Sequence, residues 1–514
     1  SADTLMPDMK EQNYKEMKNG SDPLGLVSIP VIDYGLFCNE VSGLLGNESN
    51  HCMAYYCLNE DDGLRFICCI ACDETGGIRV FSHVMERNGS PLKSLTPACP
   101  PLHIFEREIH ENYGVLFEGH PWLKPVRYPH DRADTLSVPD NYPFYQIESD
   151  ELHEVGVGPI HAGIIEPGHF RFICNGEKVL HLEIQLGYQH RGVEKLFTEI
   201  SGGLKRSLLA ENIAGDTVVG HGLAHARLVE SLAGLHVSEA LQLERCIALE
   251  MERIAVHIGD TAALCADVAY QMGQVTCEAL RTMVINTTQY WCGNRFGKGL
   301  IRPGGSNYPM NEEIADEILK ILKEVEGRYA RVTECIYSLP SVLGRFEDIG
   351  TVSRQQALRT GAVGMAARSC GVLRDTRITH PFRHHRKLEI TPVVLETGDV
   401  LARGMLRAME VRESAKLTRS LIETWRGLDT CVCLPVYDYR LKPNSFALSV
   451  TEAWRGEVCH AGITDSNGNI IHYKVKDPSM HNWMALALAV RQQEISDFPV
   501  CNKSFNLSYC GHDL

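Results

Sequence analysis

Chemistry in this chain is concentrated in a few short stretches. Asn212-Ile213-Ala214-Gly215-Asp216-Thr217-Val218-Val219-Gly220-His221 leads into a helical pattern from Leu223 to Leu235. Within it His221 and His225 stand one helical turn apart, with Asp216 and Glu230 nearby, a donor set that suits a hard or borderline metal. The competing reading is a pair of imidazoles hydrogen-bonded inside a helix packed on its neighbours; two imidazoles without a third fixed ligand favour it. Glu166, in Glu166-Pro167-Gly168-His169 after His161, is either a proton carrier tuned by burial or half of an ion pair with an arginine. Glu250, Arg253 and His257 share one helical face and read as a polar path or a structural ion pair, the second favoured because buried pairs are weak evidence of function. His380-Pro381-Phe382-Arg383-His384-His385-Arg386 could meet a membrane-facing partner or a quinone head; a solvated basic loop is favoured.

The cysteines add little. Nineteen are scattered over 514 residues, the closest groupings being Cys68-Cys69-x-x-Cys72, Cys431-x-Cys433 and Cys501-x8-Cys510. Buried cysteine usually behaves as a small hydrophobe, so free thiols are expected rather than a thiolate cluster or disulfides. A net charge of −15 argues against a nucleic-acid surface, which needs clustered Lys and Arg. The longest apolar run, around Met484 to Val490, is far short of the roughly 20 residues that span a bilayer. With no transmembrane segment of its own, any membrane association comes through partner subunits. Ser1-Ala2-Asp3 begins neither a basic region nor an apolar signal core, and the expectation is a cytoplasmic chain.

The elements that position these groups follow from periodicity. Residues 1–30 are polar and read as an N-terminal arm, mobile or wrapped on a partner. Met53 to Leu58, Leu64 to Ala71 and Ile78 to Met85 read as a meander with Gly-containing turns, and Phe105 to Tyr113 as a short helix closed by Gly114. An α+β domain over 31–128 results, with a Pro- and Asp-rich linker over 129–155. The domain 156–514 opens with two strands turned at Asn175-Gly176 and then becomes mainly α. Helical patterns cover Leu241 to Asp260, Cys265 to Tyr290, Glu312 to Ser338, Arg354 to Ala367, Gly398 to Trp425 and Asn482 to Ile495, with a hairpin around Asn467-Gly468.

Several motifs occur in an order that resembles a known family. Phe105-Glu106-Arg107-Glu108 with Gly119-His120-Pro121 is similar to the thirty-kilodalton subunit of respiratory complex I. Glu166-Pro167-Gly168-His169, His190-Arg191-Gly192-Val193-Glu194-Lys195, Pro303-Gly304-Gly305 and Glu452-Ala453-Trp454-Arg455-Gly456-Glu457 resemble two related proteins. One is the forty-nine-kilodalton subunit of complex I. The other is the large subunit of membrane-bound (group 4, formate hydrogenlyase or hydrogenase-4-like) nickel–iron hydrogenases. The resemblance runs from about residue 50 to the end.

It implies an α+β domain of the thirty-kilodalton type followed by a mainly α large domain with small β additions, of the type shared by the nickel–iron hydrogenase large subunit and the forty-nine-kilodalton subunit. It also implies what is lost. Hydrogenase members hold nickel and iron with four thiolates, soft ligands that such a centre needs. Here Ala214, Thr217, Ser508 and Gly511 stand at those positions. Gly215 stands where complex I members carry a quinone-binding tyrosine, and their hairpin histidine motif is replaced by His161-Ala162-Gly163 and His169. Glu166 matches the proton-relay glutamate, Arg455 the arginine over the metal, and His221 remains in the frame. The expectation is a peripheral-arm large subunit of a membrane-bound, complex I-related oxidoreductase. It would couple electron transfer to ion translocation without nickel, on the cytoplasmic face of the membrane. Its partners would be a small subunit that holds the iron–sulfur cluster and membrane-embedded ion-translocating subunits, and no cofactor would bind it directly. The alternatives are a quinone-reducing protein of the NADH-quinone oxidoreductase type, with Gly215, His161 and His169 lining a quinone-like cavity, and an active hydrogen-evolving hydrogenase.

Overall fold

The computed structural model describes residues 12–87, 89–161, 165–383, 388–429 and 432–514. Strands β1 (Lys15–Lys18) and β2 (Leu24–Gly25) precede helix α1 (Tyr34–Leu45), whose first turn Asp33 caps by accepting from the Leu36 amide at 3.0 Å. The expected meander follows as β3 (Asn50–Glu60), β4 (Gly63–Cys72) and β5 (Gly77–Glu86), each longer than its apolar run because pairing extends through the flanking polar residues. The sheet order is β1-β5-β4-β3. The first of these strands corrects the expectation of a free polar arm. Lys15–Lys18 pairs antiparallel with β5 and buries Met17, so one apolar anchor and a backbone ladder fix a segment whose composition is otherwise polar. Residues 1–11 lie outside the described residues. β6 (Leu92–Lys93), α2 (His103–Tyr113) and β7 (Phe117–Glu118) complete this part, and α2 stops at Gly114, whose φ of 72° needs a glycine.

β8 (His153–Val157), β9 (His169–Asn175) and β10 (Lys178–Gln185) form an antiparallel sheet in the order β10-β9-β8. Helices then follow: α3 (Val193–Glu199), α4 (Gly203–Glu211), α5 (Val218–Ala233), α6 (Glu239–Asp267), α7 (Gln271–Cys292) and α8 (Glu312–Ile336). Next come α9 (Pro340–Phe346), α10 (Arg354–Thr360), α11 (Gly364–Arg368), α12 (Thr376–Thr379) and α13 (Val400–Arg426). The helix expected over Arg354 to Ala367 is two, because Gly361 turns left-handed at φ 71° and ends α10. The chain closes with β11 (Ser445–Ala453), β12 (Gly456–Thr464), β13 (Ile470–Lys476), α14 (Ser479–Ala489), α15 (Phe498–Phe505) and α16 (Tyr509–Asp513). The helix expected over Asn482 to Ile495 begins earlier and stops at Ala489. β11 is a third strand that the expected hairpin did not include.

Helix α6 is the axis of the large core, packed between α7 and α13. Leu243, Ile247, Ile254 and Ile258 all face inward, as their spacing requires. A second core joins the two sheets. Met53, Tyr56, Ile67 and Cys69 of β3 and β4 pack on Phe446, Leu448, Val450 and Cys459 of β11 and β12. The structure is a mixture of helices and sheets. No helix among the described residues is long and apolar enough to cross a membrane, and the described cysteines are free thiols.

Candidate functional site

The loop between α4 and α5 packs against the C-terminal segment. Arg191 ties the two together, donating to the carbonyls of Asn212 at 2.6 Å, Ile213 at 2.8 Å and Cys510 at 3.0 Å. Ala214 and Thr217 are buried at the loop end, as is Ser508 at the start of α16. Gly215 is exposed, with open space where a side chain would stand.

Arg455 closes the interior of this region. It sits in the two-residue turn between β11 and β12, set by the Ala453–Gly456 pair, and that turn points it at the loop. Its guanidinium grips Asp216 bidentately, Nη1 and Nη2 each at 2.7 Å, and also donates to Thr217 Oγ1 at 3.2 Å and the Asn506 carbonyl at 2.6 Å. Trp454 lies 4.0 Å beneath it and donates to the Asp216 carbonyl at 2.9 Å. Burial opposes the Arg455 charge and Asp216 outweighs it, so the guanidinium stays protonated. Glu166 lies beside the Cys510 thiol. Burial pushes that thiol up to about 11; a Ser508 hydrogen bond works against the shift and Glu166 adds to it.

A second polar cluster backs the first. Both ring nitrogens of His221 are taken, by His460 Nε2 at 3.1 Å and Asp477 Oδ2 at 3.0 Å. His225 faces the Tyr473 hydroxyl at 2.9 Å, which also meets His460 Nδ1 at 2.8 Å. Burial pushes His225 down to about 3, and burial with His221 nearby keeps His460 well below its ordinary value, so both are neutral. Asp477 is held below the usual carboxylate range: burial opposes its charge, and His221 and Arg455 more than compensate. His221 and His225 are therefore packing and hydrogen-bonding groups rather than a metal pair. Among the described residues no cluster of three or more His, Cys, Asp or Glu could hold a metal ion.

The donor set at the four key positions does not fit a nickel–iron centre. Ala214, Thr217, Ser508 and Gly511 carry no sulfur. The Ser508 hydroxyl is committed to the Gly511 amide at 2.8 Å, and a Cβ on Gly511 would stand 2.6 Å from Asp477 Oδ2. Protein groups thus fill the space such ligands would need.

The structure brings together Glu166, Asp216, Thr217, Arg455, Ser508 and Cys510, with His221 one layer behind. His161 and His169 are held by their own loop, His161 Nε2 on the Gly168 carbonyl at 2.8 Å and His169 Nδ1 on that of Gly158 at 3.0 Å. Residues 162–164 are outside the described residues. Glu250, Arg253 and His257 serve structure: Arg377 binds Glu250, Glu410 binds His257 at 2.6 Å, and Arg253 donates to the Glu452 and Ala453 carbonyls. In the basic loop His380 is buried 3.5 Å from Asp73, and Phe382 lies 3.8 Å beneath Arg227, so these two are not solvated. His384, His385 and Arg386 lie outside the described residues. Asp477, His460, Tyr473 and Asn506 were not singled out from the sequence, since a single polar residue carries no local signal of a partner distant in the chain.

Residues 38–139 match the family profile of the 30 Kd subunit of the respiratory-chain NADH dehydrogenase, and residues 267–433 match that of its 49 Kd subunit. Hydrogenase-4 component G of Escherichia coli is 26% identical over 447 residues, 84% of this chain and 77% of that protein. Formate hydrogenlyase subunit 5 of Escherichia coli is 26% identical over 491 residues, 91% of this chain and 84% of that protein. A chain of the membrane-bound sulfane sulfur reductase, an archaeal respiratory membrane complex, shares the fold with a TM-score of 0.66 and 20% identity, over 72% of this chain and all of that one. Fold and matched segments define a fusion of a 30 Kd-type with a 49 Kd-type segment. The chain is thus similar to complex I-related large subunits, those of membrane-bound hydrogenases among them.

Proposed function

We propose that this chain is the peripheral-arm large subunit of a membrane-bound, complex I-related oxidoreductase that couples electron transfer to ion translocation without a nickel–iron centre. In such a complex it seats an iron–sulfur small subunit, which passes the electrons, on membrane-embedded ion-translocating subunits at the cytoplasmic face. The observation that carries the proposal is the filled site: four positions without sulfur, closed by Arg455 on Asp216 and by Asp477 on His221. The likeness to subunits of membrane complexes supports the assembly, and the filled site supports the difference from a hydrogenase.

The chemistry left to the chain is proton handling and positioning. Glu166 beside Cys510, Asp216 under Arg455 and Asp477 under His221 form a carboxylate-rich wall, with Arg455 holding the loop and the C-terminal segment in one register. A quinone-like ligand has less support, because Gly215 faces open surface and His161 is bonded to its own loop. Metal analysis of the purified complex tests the proposal. Nickel well below one atom per complex is expected, and stoichiometric nickel with hydrogen turnover overturns it.

A further inference from the structure

A half-open cavity of about 310 Å³ lies between α2, the Trp122–Lys124 loop, β10 and α14, where the 30 Kd-type segment meets β10 and the C-terminal helices. It borders the C-terminal segment at His512 but contains none of the residues of the candidate site. Its size is at the lower end of small-molecule pockets, and its interior is apolar, walled by Ile104, Leu182, Trp483 and Met484.

Its charge is opposite to that of the chain. The full sequence carries −15, yet the cavity is lined by three cations, Arg107, Lys124 and Arg491, against one carboxylate, Glu183. Lys124 and Glu183 neutralise each other at 2.5 Å. The three lining histidines add no charge, since burial lowers the pKa of His103, His181 and His512. Arg107 spends its donors on the Lys124 and Pro125 carbonyls and lies 4.3 Å from the Trp122 ring, which leaves its charge uncompensated. At the exposed rim Arg491 donates to His181 Nδ1 at 3.2 Å, a neutral acceptor.

We infer that this cavity binds a small amphipathic anion, a medium-chain alkyl carboxylate, with its tail against Trp483 and Met484 and its carboxylate on Arg491. Tail burial supplies the affinity, and the rim charge selects a carboxylate over a neutral head.

Titration of the full chain with decanoate, followed by calorimetry and tryptophan fluorescence, tests this. One saturable site per chain is expected, with decanol bound at least about tenfold more weakly. Arg491→Glu reverses the rim charge at an exposed position, and Met484→Trp narrows the cavity from a half-exposed one; each should weaken decanoate at least about tenfold while thermal unfolding stays near that of the parent. If Met484→Trp misfolds, Arg491→Glu decides alone. No saturable binding, equal affinity in the folded variants, or decanol binding as well as decanoate each overturns the assignment.

Discussion

His51 shows how a buried charge sets the response of this protein to pH. Its Nε2 meets Glu457 Oε2 at 2.7 Å, and its Nδ1 lies 3.2 Å from Asp73. Burial opposes its protonation, but Glu457 and Asp73 raise its pKa from 6.5 to about 9. A folded value above the unfolded one means that the stabilisation is complete below pH 6.5 and is lost as pH rises through about 9. The difference is on the order of 3 kcal/mol. Urea unfolding should show that decline in the parent, and His51→Gln should flatten it; a parent with constant stability across this window contradicts the assignment. Cys510 gives a second prediction. Because Glu166 is one of the groups raising that thiol, Glu166→Gln should make Cys510 alkylate about threefold faster at mildly alkaline pH, read by peptide mass mapping. An unchanged rate would separate the two side chains. That Ala214, Thr217, Ser508 and Gly511 carry no sulfur is read from the sequence, because ligand identity belongs to the residue itself. Asp477, which occupies the space beside Gly511, could not.

At the scale of elements, the turn carrying Arg455 depends on backbone contact with α11. A Cβ on Gly364, whose φ is 61°, would stand 2.2 Å from both the Arg455 carbonyl oxygen and the Gly456 Cα. Backbone cannot yield as a side-chain end does. Gly364→Ala should therefore cost more than about 2 kcal/mol and loosen the Arg455–Asp216 grip. Calorimetry should record a fall of several degrees, and hydrogen exchange should quicken at the Asp216 and Thr217 amides; an unaltered melting curve rules this contact out as a constraint. The motif containing Arg455 was legible because it is written in consecutive residues, and so was most of the helix bearing His221, which starts at Val218 rather than at the expected Leu223. The hairpin at Asn175-Gly176 and the stop of α2 at Gly114 were legible for the same reason. β11 was missed although Phe446, Leu448 and Val450 alternate with Ser445, Ala447, Ser449 and Thr451; in the fold both of its faces are buried.

For the whole molecule, the seam between the two sheets makes the segment from β1 to β7 part of one fold with the rest. Phe446, Leu448 and Val450 pack on Met53, Tyr56 and Ile67, and the Asn19 side chain donates to the carbonyls of His380 at 3.0 Å and Val450 at 2.9 Å. Deleting everything before Asn141 would expose that face to water, at roughly 25 cal/mol for each Å² uncovered. The shortened chain should aggregate or elute as large oligomers on size exclusion. A monodisperse Asn141–Leu514 fragment with parental helix content would mean that the sheets are separable.

The sequence by itself determined the donor chemistry at Ala214, Thr217, Ser508 and Gly511, none of which carries sulfur. It also determined most helices and hairpins, because periodicity and turn residues act over a few neighbours. Tertiary structure alone decided what surrounds those four positions. Arg455 reaches Asp216 across 239 residues, and His221 reaches Asp477 across 256. Contacts at such separations follow from how α5, the β11–β12 turn and the C-terminal segment pack, and no local spacing records that packing.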